Sequence, residues 1–202
     1  MNSLWFDLDG TLLDVSHRHY AVYCAVLGQW NETPLGFDEY WRAKREGNVP
    51  VSQANTEEFK RLWLEWIERR DLLRLDRVLP GARELLGTLG RENKLTLVTL
   101  RQSPEALREQ LQRLELDRAF SKVLTARGGA EEKARLIRQG GAAPTGWLIG
   151  DTEADVMAAK LAGLKSCTVT WGLRSRAFLE KLKPDSLADD FSGVARAVGS
   201  AV

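Results

Sequence analysis

Two short acidic turns hold the residues most capable of chemistry in this chain. Asp7-Leu8-Asp9-Gly10-Thr11 stands where the apolar run of residues 4–8 stops, and Gly150-Asp151-Thr152-Glu153-Ala154-Asp155 follows the apolar run 147–149. Carboxylates two residues apart share one face of a regular strand, but at a strand's end the turning chain can aim them at different atoms of one ligand. Were both turns to lie side by side, Asp7 and Asp151 could jointly hold a hard divalent cation. Magnesium prefers such oxygen ligands and keeps several waters and a phosphate oxygen around it. One acidic turn reads as solvated surface; two, each straight after a buried strand, read as a site.

Further positions fit the same chemistry. Thr99 ends the run 95–99, where its hydroxyl and the neighbouring backbone N–H groups suit a phosphate oxygen. Lys133 opens a helical stretch after Gly128-Gly129, placed to offset the negative charge that gathers when a phosphate meets several carboxylates. Alone, each is an ordinary strand-end threonine or solvated lysine. Arg101, just past Thr99, is either a solvated loop arginine or a reader of a substrate's other anionic group. Arg18 is surface charge or a substrate contact from the first helix of the segment that follows. His17 and His19 are two apart on that helix and point away from each other, which argues against a shared metal. The basic groups of Trp41-Arg42-Ala43-Lys44-Arg45 read as a solvated face, with a cleft-facing role as the alternative.

These residues need a scaffold that brings distant turns together. Apolar runs at 4–8, 95–99, 122–125, 147–149 and 167–170 are each followed by turn or polar residues, the pattern of strands buried on both faces of a parallel sheet. Between them lie helical patterns: Ser103-Pro104 as N-cap and first residue before Leu107, Leu111 and Leu114, Leu136 and Ile137, then Val156, Ala159 and Ala162 closed by Gly163. Alternation of this kind predicts an α/β fold with a doubly wound parallel sheet, whose ligands bind outside the carboxyl ends of the strands. Residues 15–79 break the alternation. Phe59, Leu62, Trp63, Trp66 and Ile67 form an apolar helical face there and no strand pattern appears, so an inserted helical unit of about four helices is expected. The expected division is a catalytic core of residues 1–14 and 80–202 with a helical cap at 15–79, the tryptophans filling the cap's own core.

Composition narrows the function classes. With 202 residues, 44% hydrophobic and 28% charged, the chain can bury a substantial core. Lys plus Arg total 29 against 28 Asp plus Glu, too balanced for backbone-driven nucleic-acid binding. Cys24 and Cys167 lie far apart and suggest free thiols rather than a zinc site or a disulfide framework. The first residues lack a basic stretch followed by an apolar one, and no run of about 18 apolar residues occurs, so a cytoplasmic protein without a membrane span is expected.

Taken together, Asp7-Leu8-Asp9-Gly10-Thr11-Leu12 resembles the first signature of the haloacid dehalogenase-like hydrolase superfamily. Thr99 resembles the second, Lys133 the third, and Gly150-Asp151-Thr152 with Asp155 the fourth. The insertion resembles the helical cap of the phosphoglycolate phosphatase-like branch. The resemblance implies a Rossmann-like core and a magnesium-dependent phosphatase acting on a small-molecule phosphate ester. In it Asp7 attacks phosphorus, Asp9 protonates the leaving oxygen and then activates water, and Thr99 and Lys133 bind the phosphoryl group. Asp7, the backbone carbonyl of Asp9, and Asp151 would hold the cation, with Asp155 supporting. An acid at position 9 favours a phosphatase over a dehalogenase, since halide leaves without a proton. The pattern departs from many relatives at Leu100-Arg101, where a small polar residue or asparagine is usual. A phosphotransferase such as a sugar-phosphate mutase shares the first half of this chemistry, and a phospho-accepting signalling protein remains the non-enzymatic alternative. Monomer and homodimer are both compatible with the sequence.

Overall fold

The computed structural model describes residues 3–49, 56–141 and 145–199. The chain starts with β1 (Ser3–Phe6) and β2 (Leu13–Asp14), then passes through α1 (Ser16–Gly28), α2 (Phe37–Arg45), α3 (Thr56–Trp66) and α4 (Arg70–Leu73). β3 (Arg77–Val78) returns antiparallel to β2, and helices and strands then alternate: α5 (Ala82–Leu89), β4 (Lys94–Leu100), α6 (Pro104–Arg113), β5 (Lys122–Ala126) and α7 (Gly129–Gln139). They continue as β6 (Trp147–Gly150), α8 (Glu153–Ala162), β7 (Lys165–Val169), α9 (Arg176–Glu180), β8 (Ser186–Ala188) and α10 (Phe191–Ala197).

Six strands form one parallel sheet in the order β5-β4-β1-β6-β7-β8. β1 sits between β4 and β6, so both its faces are covered: Leu4 and Phe6 join one apolar cluster and Trp5 another on the opposite side. This is the physical reason its sequence is apolar without alternation. The sheet has one strand more than the apolar runs predict. β8 is an edge strand of three residues, Ser186 and Leu187 half-buried and Ala188 buried, and carries no such run. β7 starts at Lys165, ahead of the predicted 167, and stops before Thr170.

The expected helix boundaries hold where capping chemistry specifies them. Ser103 Oγ accepts from Ala106 N (3.2 Å) with Pro104 as the first helical residue, and Gly163 ends α8 in the left-handed region at φ 73°. Lys133 lies in the second turn of α7 rather than at its start. In the segment 15–79, helices predominate, but Arg77–Val78 forms a strand that the sequence did not suggest, too short to show a period. The helices there have their own apolar clusters, one uniting Val22, Val26 and Leu62 with Trp63 and Trp66, the other Tyr23, Leu27 and Tyr40 with Trp30 and Trp41.

Candidate active site

The loop after β1 is held against the end of β6, where Asp7 N donates to Ile149 O (2.8 Å). Asp7 and Asp151 each follow a strand, β1 and β6 are neighbours, and their carboxylates therefore meet. Asp151 is fully buried, and its two oxygens accept from Thr11 Oγ1 (3.0 Å) and Leu173 N (2.6 Å). Space for it exists because glycines surround it. A Cβ on Gly10 would stand 2.1 Å from Asp151 Oδ2, and Gly10 has φ +76°, so side chain and conformation both exclude other residues.

Asp155 completes the acidic group from the first turn of α8. Thr152 is the N-cap and Asp155 the third helical residue, forming a capping box in which Asp155 Oδ2 accepts from Thr152 N (3.1 Å). Its other oxygen accepts from Lys133 Nζ (2.5 Å), which also donates to Asp7 Oδ1 (2.6 Å). Ligand atoms of Asp7, Asp151 and Asp155 all lie within 4.8 Å of one another. Burial first, then the nearby carboxylates, push Asp7 up to about 7 against the pull of Lys133, and the same causes push Asp151 well above the carboxylate range. Burial disfavours the charge on Lys133, but Asp155 and Asp7 outweigh it and hold the ammonium. Three buried carboxylates against a single lysine form a hard-oxygen donor set short of positive charge, and a divalent cation fits it. Among the described residues, Asp7 Oδ2 and the remaining lone pairs of Asp151 are the open ligand positions, whereas both Asp155 oxygens already accept hydrogen bonds.

Asp9 points elsewhere. Its carboxylate receives Arg101 Nη2 at 2.7 Å on one oxygen and Arg18 Nη2 at 2.9 Å on the other. Burial works against its charge, but Arg101 and Arg18 prevail and hold it well below the usual carboxylate range. Both arginines are about as buried as core leucines, at 2% and 1% exposure. A cavity of about 370 Å³ opens over Asp7 and Asp9, walled by Thr99, Arg101 and Lys133 from the sheet side and by Arg18, Trp63 and Ile67 from the inserted helices. The sequence-derived site residues are thus gathered in one place: Asp7, Asp9, Thr99, Lys133, Arg101 and Arg18 line this cavity, with Asp151 and Asp155 directly behind Asp7.

A family model described as haloacid dehalogenase-like hydrolase matches residues 1–163. The chain belongs to the haloacid dehalogenase-like hydrolase family. Among its relatives, a phosphoglycolate phosphatase of Synechococcus elongatus is 32% identical, with 98% of this chain and 97% of the relative covered. A pyrophosphatase of Bacillus cereus is 25% identical over 95% of this chain and 94% of its own length. A haloacid dehalogenase-like family structure from Streptococcus pneumoniae superimposes with a TM-score of 0.80 at 20% identity, covering 98% of both chains, which speaks to the fold alone.

Against that family background, several residues of this hydrolase were invisible as site residues in the sequence. Thr11 and the backbone of Leu173 position Asp151, and Gly172 leaves it room: a Cβ there would lie 2.2 Å from Asp151 Oδ2. Asp76 and Gln110 lie behind the two arginines: Asp76 Oδ1 accepts from Arg18 Nε (2.9 Å), and Gln110 Nε2 donates to Asp76 Oδ2 (2.6 Å). Glu68 bridges the inserted helices to the loop after β4, accepting from Gln102 N (2.7 Å) and Ser103 N (2.9 Å). His17 and His19 do not meet: His17 stacks on Phe37, while His19 packs edge-on against Trp41 and Trp63.

Proposed function

We propose that this phosphatase hydrolyses a small-molecule phosphate monoester in a magnesium-dependent reaction through an aspartyl-phosphate on Asp7. The observation that carries the reading is the meeting of Asp7 with Asp151 behind it and Lys133 beside it, Asp7, Lys133 and Thr99 lining one cavity. Asp7 attacks phosphorus, the ester P–O bond breaks, and a proton passes to the departing oxygen. Water, relieved of a proton, then attacks the same phosphorus, releases inorganic phosphate and returns Asp7. Splitting the barrier this way suits an ester whose unaided hydrolysis is among the slowest biological reactions.

Asp9 is the candidate acid and base. Its pairing with Arg101 and Arg18 favours the ionised form, the one able to accept a proton, but the same pairing lowers its basicity and opposes proton donation in the first step. Thr99 and Lys133 are the candidate phosphoryl ligands. Asp7 and Asp151, with the backbone carbonyl of Asp9, would hold magnesium, and Asp155 would orient Lys133. When bound, the cation supplies the positive charge that the crowded carboxylates and an incoming phosphate need.

Arg101 and Arg18 suit a substrate with a second anionic group. Two relatives are named for phosphoglycolate and for pyrophosphate, each a phosphate joined to another anion. Residues 15–79 would then act as the cap that closes over the cavity and selects the substrate.

The test is release of inorganic phosphate from a panel of phosphate esters, with magnesium or with EDTA. Asp7→Asn should lose activity on the order of 10³-fold or more, as expected when a nucleophile is removed. Full activity in that variant would end the reading. Transfer of the phosphoryl group to a second substrate hydroxyl, rather than to water, would redirect it to a mutase.

A further inference from the structure

Five side chains form a closed ring around one wall of the cavity. Asp9 Oδ1 accepts from Arg101 Nη2 (2.7 Å), Arg101 Nη2 also donates to Gln110 Oε1 (3.0 Å), and Gln110 Nε2 donates to Asp76 Oδ2 (2.6 Å). Asp76 Oδ1 then accepts from Arg18 Nε (2.9 Å), and Arg18 Nη2 closes the circuit as an ion pair 2.9 Å from Asp9 Oδ2. The members come from the loop after β1, from α1, from the turn before β3, from the loop after β4 and from α6.

Asp76 and Gln110, both 2% exposed, do not line the cavity, so they touch neither substrate nor reacting atoms. Burying a carboxylate and an amide has a desolvation cost, and a buried ion pair seldom returns more than it costs, so added stability is a poor account of them. Their bonds do fix two guanidinium planes. Arg18 is held at Nε by Asp76 and at Nη1 by Ile67 O (3.0 Å), and Arg101 is held at Nη2 by Gln110. Held this way, Arg101 keeps two buried donors, Nε and Nη1, without a hydrogen-bond partner among the described residues. Buried N–H groups of a guanidinium left unpaired beside a cavity are donors waiting for an anion.

We infer that Asp76 and Gln110 are positioning residues that hold Arg101 and Arg18 as the receptor for a second anionic group on the substrate. The inference rests on the phosphatase reading above. Its readout is a ratio: kcat/KM on a phosphate compound with a second anion over kcat/KM on 4-nitrophenyl phosphate, which has none. The second-anion substrates are 2-phosphoglycolate, whose second group is a carboxylate, and pyrophosphate, whose second group is a phosphate; the better of the two in the wild type identifies the anion.

Gln110→Met keeps the volume and removes both ring bonds, together with the longer one to Leu73 O (3.4 Å). Asp76→Asn keeps an acceptor for Arg18 and removes the charge. Each should lower the ratio about tenfold or more, chiefly through KM, as expected for a weakened bond to a charged group. Both variants are checked by thermal melting, so that either one can carry the result if the other is unfolded. Equal losses on both kinds of substrate leave the ratio unchanged and would reduce the pair to a structural role; that outcome, no loss on either, or a wild type without preference for a second anion would overturn the inference alone. A wild type inert on these three compounds and on the wider panel of phosphate esters would remove the phosphatase reading, and this inference with it.

Discussion

Lys133 is the counter-charge on which the acidic group depends. It is buried, it touches both Asp7 and Asp155, and among the described residues no other cation donates to either carboxylate. Lys133→Met should therefore lower kcat/KM by about 10²–10³, the usual effect of removing one preorganised charge. It should also destabilise the fold by about 3–5 kcal/mol, because uncompensated carboxylates stay buried. Both are readable from steady-state kinetics and chemical denaturation; near-wild-type values in both would show that Lys133 is not balancing the cluster.

A pH prediction follows from the same residues. Asp7 and Asp151 have folded values above their unfolded ones, Asp7 at about 7. Their contribution is thus fully present below about pH 4 and is lost as pH rises through the folded values. A cation binds the ionised forms and cancels that loss. Magnesium at a hundredfold excess over Kd should add about 2.7 kcal/mol, roughly 5–11 °C in Tm, at pH 7.5 and clearly less at pH 5.5. His19 acts in the opposite sense, its imidazole held below the ordinary range first by burial and then by Lys44 and Arg18. The quantity to measure is therefore the Tm difference between magnesium and EDTA at each pH, and a difference that shrinks toward high pH would contradict the assignment.

At the scale of elements, the site depends on how closely two loops approach. Gly172, just beyond β7, would place a Cβ 2.5 Å from Gly10 O as well as against Asp151. Gly172→Ala must push the loop after β1 away from Asp151, so the magnesium concentration for half-maximal activity should rise about tenfold, with a stability loss of about 1–3 kcal/mol. Gly87 is the contrast: inside α5, with nothing within 4 Å of its would-be Cβ, its change to Ala should stabilise by up to about 1 kcal/mol. If the two substitutions behave alike, close loop packing is not what governs the cation site.

This dependence on approach also explains what the sequence disclosed. β1, β4 and β6 were legible because strands covered on both faces need continuous apolar runs, and Asp7 and Asp151 were legible because they follow such runs directly. β8 was hidden by its Ser-Leu-Ala composition at a sheet edge, and β3 by its two-residue length. The arginine ring was illegible for a different reason: it closes across bonds such as Arg101 to Asp9, 92 residues apart, and no local pattern reports them. A partial signal did exist. Gln110 follows Leu107 by three and precedes Leu114 by four, a polar residue on the core-facing stripe of α6, where an unpaired amide would be costly.

For the molecule as a whole, the question is what keeps the inserted helices over the cavity. Besides the arginine ring, two further seams fasten them. On one, the last carbonyls of α2 accept from the opposite side, Lys44 O from Arg174 Nη1 (3.0 Å) and Arg45 O from Ser175 N (3.0 Å), while Arg174 is itself anchored on Glu153. On the other, the Glu68 carboxylate accepts the two backbone N–H groups that precede α6, favoured by its position at a helix N-terminus. The second seam lies beside Arg101 and Gln102, so closing it also orders the loop that carries the anion receptor. Opening must break Glu68's bonds while leaving the acidic cluster intact, since neither Asp7 nor Asp151 touches Glu68. Glu68→Ala should therefore raise KM several-fold with a smaller effect on kcat, and should raise kcat if cap opening limits product release. Because Trp63 and Trp66 lie on the same helices as the cavity wall, tryptophan emission should shift toward a more exposed state in this variant, and saturating substrate should reverse part of that shift. A variant with lower kcat, unchanged KM and unaltered emission would mean that Glu68 serves the chemistry and not the closure.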